Sequence, residues 1–326
     1  MVSVALCTYN GEKFLDQQLN SILNQSKPVN EIIICDDKST DSTIKIIKEF
    51  QKQFPLIIKL HENFSSLGPI KNFEKAINLC SGDIIFLSDQ DDIWINSKVE
   101  VIIREFEKSP MYEAIFTNAE LVDENSTALG KTLWGTLNFD LETQKNWLID
   151  IAFEEILYKR NKITGATLAI KRSLFDRAIP FPEIKGVWHD AWLGMHAAAN
   201  HNLGLLNLCL IQYRIHSYQQ VGIGNGTTLL EKNKKIDLKE LLVNIKNHYE
   251  DVLYIIDEMN VKYPKLVKSD LQKNAIIGIT WINFRLNLSR NILLRVFTIF
   301  KNIEIYKNVN KSFHRTIIRD MLAPAN

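Results

Sequence analysis

The stretch IIFLSDQDDIW, residues 84–94, sets three carboxylates, Asp89, Asp91 and Asp92, directly after an apolar run. Like charges beside a buried segment repel and are costly to desolvate unless something positive compensates them. Mg²⁺ and Mn²⁺ are such partners. They take oxygen ligands and are commonly held by one or two carboxylates together with phosphate oxygens. Asp89-Gln90-Asp91 can supply the carboxylates, and Asp92 reads as a cap for the next turn. Without cation and phosphate, residues 88–93 are expected to be looser. Two further polar clusters, Thr8-Tyr9-Asn10 and Asp36-Asp37-Lys38-Ser39, also follow short apolar runs. Any one cluster could be a turn or a helix cap. Three on one edge of a sheet favour a ligand site.

The elements that must place these clusters alternate. Strand patterns cover residues 2–7, 31–35, 56–60 and 83–88. Helical spacing of apolar residues covers 12–24, 42–54, 69–80 and 97–108. This rhythm predicts an α/β fold with a mostly parallel sheet flanked by helices. Ligands in such sheets bind outside the carboxyl ends of the strands, where the three clusters fall. Farther on, 114–122, 166–171 and 203–215 read as strands, and 142–158 and 188–200 as helices. The glycine cluster at 222–226 marks the boundary between a catalytic region, 1–226, and a helical C-terminal appendage, 227–326.

The usual nucleotide-binding devices of parallel sheets are missing. The first strand runs into Thr8-Tyr9-Asn10-Gly11 with a single glycine, so no GxGxxG follows it. There is no GxxxxGK[ST] phosphate loop either. A metal-bridged diphosphate fits the carboxylates better. Cys7, Cys35, Cys80 and Cys209 are far apart and form no CxxC pair, so no zinc or disulfide framework follows from them and a reducing, cytoplasmic compartment is expected. The N-terminus enters a strand pattern directly and lacks the character of a signal peptide. No apolar run approaches the roughly 18 residues of a spanning helix.

Five separated motifs, in order, resemble the inverting glycosyltransferases of family 2 with the GT-A fold. They are VSVALCTYNGEKFLDQQLNSILNQ, EIIICDDKSTDST, SGDIIFLSDQDDIW, HDAWLGMHAAA and YRIHSYQQVGIG. The chain is most similar to the bacterial rhamnosyltransferase-like members that build surface polysaccharides. The resemblance spans about residues 1–226. It implies that Thr8 and Tyr9 line a nucleotide pocket, with Glu12 near it. Asp37, with Asp36, meets the pyrimidine and the ribose side; a carboxylate there can accept from the base N3–H. Asp89-Gln90-Asp91 matches the DxD motif, with Asp91 on the metal and Asp89 on the ribose or the metal shell. Asp190 matches the catalytic base, although it also suits the start of a helix over 191–200. His216 matches a histidine that reaches the metal or the diphosphate. Lys71 and Asn72 either approach the nucleotide or lie on a solvated helix face. His189 reads as a structural or acceptor-side neighbour of the base. Trp188 and Trp192 either stack on a sugar or pack.

The implied reaction is one displacement at an anomeric carbon. A carboxylate deprotonates the acceptor hydroxyl while a nucleoside diphosphate leaves. The implied donor is a UDP- or dTDP-sugar, rhamnose being the sugar the subgroup suggests. The acceptor would be a saccharide or a lipid-linked saccharide. A sugar-nucleotide-forming nucleotidyltransferase would need a glycine- and lysine-rich phosphate loop that CTYNGEKF does not supply. A non-catalytic sugar-nucleotide-binding protein would have no use for both Asp91 and Asp190.

Charge is unevenly spread. The chain is +1 overall, but residues 271–326 carry nine Lys/Arg against two Asp/Glu. Residues 227–270 balance at eight of each, leaving −6 for 1–226. The basic, Ile- and Phe-rich tail suits either a helix lying on the anionic inner face of a membrane or an appendage packed on the catalytic region or a second subunit. No nucleic-acid-binding module accompanies it.

Overall fold

The computed structural model describes residues 1–158, 161–217, 219, 238–263, 269–288, 291–304, 316, 320 and 321. The chain divides into two compact units, Met1–Gly226 and Thr227–Asn326.

The first unit alternates strands and helices through its first half. β1 (Val2–Thr8), β2 (Glu31–Asp36), β3 (Ile58–Glu62) and β4 (Ile84–Ser88) alternate with α1 (Leu15–Leu23), α2 (Thr43–Gln53) and α3 (Gly68–Leu79). β1 and β2 are almost wholly buried apolar runs, as expected of strands covered on both faces. After β4 come β5 (Ile93–Trp94), α4 (Lys98–Lys108), β6 (Ala114–Val122) and β7 (Ala128–Thr132). Short helices α5 (Leu133–Thr136), α6 (Leu141–Asn146) and α7 (Ala152–Leu157) precede β8 (Leu168–Lys171), α8 (Arg172–Ala178), α9 (His189–Ala199) and β9 (Leu203–Arg214).

Among the described residues one nine-stranded sheet runs β3-β2-β1-β4-β8-β6-β9-β5, with β7 on β6. The β3-β2-β1-β4 half is parallel. The other half is mixed: β8 is antiparallel to both β4 and β6, and β9 is parallel to β6. The alternating pattern made the parallel half legible, whereas a short strand such as β8 carries no direction in its sequence.

Three local differences have physical reasons. β3 starts at Ile58 rather than Leu56, because the N–H groups of Ile57 and Ile58 fold back onto the Phe54 carbonyl across Pro55. The helix expected over 142–158 is interrupted by a π turn at Trp147–Ile151, where Trp147 packs against Phe116 and Phe139 and its Nε1 donates to Glu155. The strand expected over 166–171 starts at Leu168, because Thr167 donates its N–H (2.9 Å) and its hydroxyl (2.8 Å) back to the Thr164 carbonyl, closing a 3-10 turn over Gly165–Thr167.

The second unit contains α10 (Leu238–Lys262), α11 (Ser269–Leu286) and α12 (Ile292–Lys301). Val252, Ile255, Ile256, Met259, Ala275 and Ile282 are buried within it, and the Arg285 Nε donates to the buried Asp320 carboxylate at 2.7 Å. Among the described residues no helix is long and apolar enough to cross a membrane.

Candidate active site

A cleft of about 570 Å³ opens in the first unit, bordered by the ends of β1, β2 and β4 and by the start of α9. Thr8, Tyr9, Asn72, Asp37, Asp89, Gln90, Asp91, Trp188, His189 and Asp190 all line it. Residues 180 positions apart in sequence therefore share one cavity.

The nucleotide-side residues divide into those that face the cleft and those that hold the loops around it. Asp36 is buried and is not a lining residue. Its carboxylate accepts from the Thr8 hydroxyl at 2.7 Å and from the Ser39 N–H at 2.8 Å, which pins the β2 loop to β1. Asp37 does face the cleft, but its oxygens are already engaged. They accept from Asn63 Nδ2 (2.9 Å), Leu67 N–H (2.7 Å), Ser66 Oγ (2.7 Å) and Gly68 N–H (3.0 Å). Burial pushes this carboxyl up, and those four donors outweigh it, holding the group below its ordinary pKa. A pyrimidine N3–H gains an oxygen of Asp37 only by displacing a donor, and the Ser66 hydroxyl is the one that rotates freely.

Two expected contacts are displaced. Glu12 accepts from the Ser42 N–H at 2.7 Å, at the start of α2, and is not on the cleft. Lys71 donates to Glu74 at 2.9 Å and to the Phe181 carbonyl at 2.7 Å, so its ammonium is spent on structure. Its neighbour Asn72 is buried, donates to the Cys35 carbonyl and reaches the cleft.

The carboxylate loop is tied down in several places. The Gln90 amide clamps the Tyr9 backbone, its Oε1 accepting from Tyr9 N–H (2.8 Å) and its Nε2 donating to Tyr9 C=O (2.9 Å). Gly11 makes room for this clamp: a Cβ there would lie 2.3 Å from Gln90 Oε1. Asp91 Oδ2 lies 2.9 Å from His216 Nε2, and the His216 ring lies against Phe14 at 4.7 Å between centroids. Asp92 is buried; one oxygen accepts from the Arg214 N–H at 3.0 Å and the other has no hydrogen-bond partner. Asp92 thus ties the loop to the end of β9 rather than capping the next turn.

Sequence reasoning missed the two cations behind this loop. Lys98, the first residue of α4, is fully buried. Its Nζ sits 3.9 Å from the Trp94 ring centroid and donates to the Ala166 carbonyl at 2.8 Å. Burial pushes the ammonium down to about 7, against the pull of Asp92 and Asp89. Arg214 is equally buried. Its Nε donates to the Asp91 carbonyl (2.7 Å), Nη1 to Ser126 Oγ (2.9 Å) and Nη2 to Gln17 (2.7 Å). The positive partner expected to be a divalent cation alone is in part built into the protein. The charge crowding remains: burial, then Asp91 and Asp190, push Asp89 up to about 7, and burial, then Asp91 and Asp89, push Asp92 well above the carboxylate range. Lys98 could have been suspected, since it shares a helical face with Val99, Ile102, Ile103 and Phe106.

The start of α9 brings one carboxylate to the cleft. Asp190 lies in the first turn of α9, one residue inside it rather than at its cap, which is Trp188. Its oxygens accept from Ala191 N–H (2.5 Å) and Gly165 N–H (3.0 Å). Burial raises its pKa to about 6, and those backbone N–H groups oppose the rise. His189 stacks on Phe73 at 4.0 Å, with neither ring nitrogen hydrogen-bonded, and burial holds it neutral, with a pKa of about 3. The tryptophan pair splits: Trp192 is buried and donates to the Ala178 carbonyl at 2.8 Å, whereas Trp188 lines the cleft.

Among the described residues no three His, Cys, Asp or Glu side chains converge as a ready-made metal cage. The donor set nevertheless suits a cation shared with a diphosphate. Asp91 and His216 offer an oxygen and a nitrogen side by side, and Mg²⁺ or Mn²⁺ sites of this kind complete their shell with phosphate and water.

Residues 3–163 match the glycosyl transferase family 2 model. Over that segment, just under half of its length, the chain is a glycosyl transferase family 2 domain. Family 2 relatives include a dTDP-rhamnosyl transferase of Shigella flexneri, 35% identical over 153 residues, or 46% of this chain and 50% of that protein. A poly(ribitol-phosphate) beta-glucosyltransferase of Bacillus spizizenii is 29% identical over 51% of this chain and 27% of its own length. The chain thus matches half or less of either protein. The crystal structure of S. aureus TarS 1–349 in complex with UDP-GlcNAc matches with a TM-score of 0.57 and 16% identity, covering 98% of this chain and 88% of that one. That likeness shows a GT-A fold for the α/β unit with its mixed sheet.

Proposed function

We propose that this chain transfers a sugar with inversion from a UDP- or dTDP-sugar to a saccharide or lipid-linked saccharide acceptor in surface polysaccharide synthesis. Rhamnose from dTDP-rhamnose is the reading that the Shigella relative's name favours. The carrying observation is that Asp91, beside His216, and Asp190 line one cleft. A divalent cation held by Asp91 and His216, with Asp89 near, would stabilise the charge that grows on the leaving nucleoside diphosphate. Thr8, Tyr9 and Asn72 border the nucleotide end, and Asp37 holds the 66–68 turn beside it.

At the other end Asp190 takes the proton from the acceptor hydroxyl as that oxygen attacks the anomeric carbon. Burial lifts its pKa to about 6, so at neutral pH it is ionised yet basic enough to accept a proton. The two backbone N–H bonds fix its orientation. No covalent enzyme intermediate is required. The test is product release from dTDP-rhamnose, UDP-glucose and UDP-N-acetylglucosamine with Mn²⁺. One of these turning over, with no turnover in Asp190→Asn, supports the reading. Full activity in that variant removes Asp190 as base.

A peripheral position at the inner, cytoplasmic face of a membrane is supported by α12. It exposes Leu293, Leu294, Phe297 and Phe300 in a region of strong positive charge. Flotation with phosphatidylglycerol vesicles, lost in Leu293→Glu/Phe297→Glu, is the expected outcome; equal flotation of the variant counts against it.

A further inference from the structure

Lys98 is a buried ammonium that the transfer reaction as described does not use. Its surroundings connect the two walls of the cleft. On one side it opens α4, directly after the carboxylate loop. Its backbone N–H donates to Ile95 C=O at 2.9 Å, and its ammonium lies over Trp94 in the field of Asp92 and Asp89. On the other side Nζ donates to the Ala166 carbonyl at 2.8 Å. Ala166 belongs to the Gly165–Thr167 turn, and the N–H of Gly165 in that turn donates to Asp190 Oδ2 at 3.0 Å. The turn has little slack, since a Cβ on Gly165 would lie 2.7 Å from His189 Nε2.

We propose that Lys98 is a positioning residue that couples the carboxylate loop to the seat of Asp190, through Nζ–Ala166 C=O and Gly165 N–H–Asp190. A counter-ion for Asp92 alone needs no bond to Ala166, and a strut for the turn alone needs no carboxylates around it. Lys98 has both. Removing the ammonium frees the 165–167 turn, so the Gly165 N–H supports the Asp190 carboxylate less well. A carboxylate that loses a donor becomes more basic, so its pKa moves up. The turnover part of this inference rests on Asp190 being the base; the structural part does not.

The experiment compares wild type, Lys98→Met, Asp92→Asn and Lys98→Met/Asp92→Asn. The double variant balances the buried charge and serves as the test if Lys98→Met alone does not fold. Backbone amide exchange of residues 164–167 is read on unliganded protein. Turnover of dTDP-rhamnose with Mn²⁺, or of UDP-glucose if wild type prefers it, is read against pH. The expected result is exchange at 164–167 at least tenfold faster in Lys98→Met and still fast in the double variant. With it come a tenfold or greater loss of kcat, KM for the donor within threefold, and an acid limb moved to higher pH. Wild-type exchange at 164–167 in either Lys98 variant overturns the coupling, as does recovery of kcat and pH profile on adding Asp92→Asn. Absence of turnover in wild type with altered exchange in Lys98→Met would strike the proposed reaction and leave the coupling standing.

Discussion

The two walls of the cleft handle negative charge in opposite ways. The β4 wall crowds Asp89, Asp91 and Asp92 together and sets two buried cations behind them, yet Asp92 Oδ2 remains unpartnered. The α9 wall carries Asp190, held by two backbone N–H groups and flanked by a neutral imidazole. Crowded carboxylates with partial internal compensation suit a site that accepts more positive charge. A desolvated carboxylate with a raised pKa, held by backbone N–H groups, suits a site that accepts a proton. The two environments differ electrostatically before any ligand is considered, which is what motivates the proposed roles.

The contrast predicts different failures. Asp190→Asn is expected to cut turnover by about 10²–10⁴-fold, the usual worth of a positioned general base, and to leave nucleotide binding within about threefold. Asp91→Asn should do the reverse at the binding step, removing most of the Mn²⁺ enhancement of UDP or dTDP affinity measured by calorimetry. Loss of binding in the first variant, or unaltered Mn²⁺ dependence in the second, would break the division.

The pH dependence follows from the α9 wall. Asp190 must be ionised to take a proton, and its pKa is raised to about 6. Activity should therefore be flat above that value and fall about tenfold per pH unit below it, where the carboxyl is protonated. A pH–rate profile with its acid limb near the ordinary carboxylate range of about 4 would contradict this assignment.

Smaller effects separate lining residues from braces. Gly11→Ala should cost roughly 0.5–1.5 kcal/mol in chemical denaturation, because the new Cβ would lie 2.3 Å from Gln90 Oε1 and push that side chain off the Tyr9 backbone. Lys71→Ala, which removes an ammonium engaged with Glu74 and Phe181, should leave nucleotide affinity within about twofold. A larger loss would restore Lys71 to the donor site.

Much of this arrangement was legible in the sequence. Apolar runs ending in Thr8, Asp36 and Ser88 located the sheet edge, because a buried parallel strand reads as continuous hydrophobicity. Asp89 and Asp91 of SDQDD and the HD pair at 189–190 do share a cavity. Hydrogen-bond partners acting at a distance were not legible. Asp36 and Glu12 look like ligand residues until their loop N–H and hydroxyl donors are known, and Lys71 looks free until the Phe181 carbonyl reaches it. Arg214 was missed because a single cation at a strand end gives no signal of burial; Lys98 was missed because its place on the apolar face of an otherwise charged amphipathic helix was overlooked. The antiparallel insertion of β8 was likewise hidden, since its partners β4 and β6 lie far off in sequence.

The most direct test of the two-wall account is a calorimetric titration of UDP and dTDP, with and without Mn²⁺, into wild type, Asp91→Asn and Asp190→Asn. The account predicts Mn²⁺-enhanced binding of at least one nucleotide to wild type and Asp190→Asn alike, with the enhancement lost in Asp91→Asn. Binding indifferent to Mn²⁺ in all three, or lost in Asp190→Asn while Asp91→Asn binds normally, would contradict it.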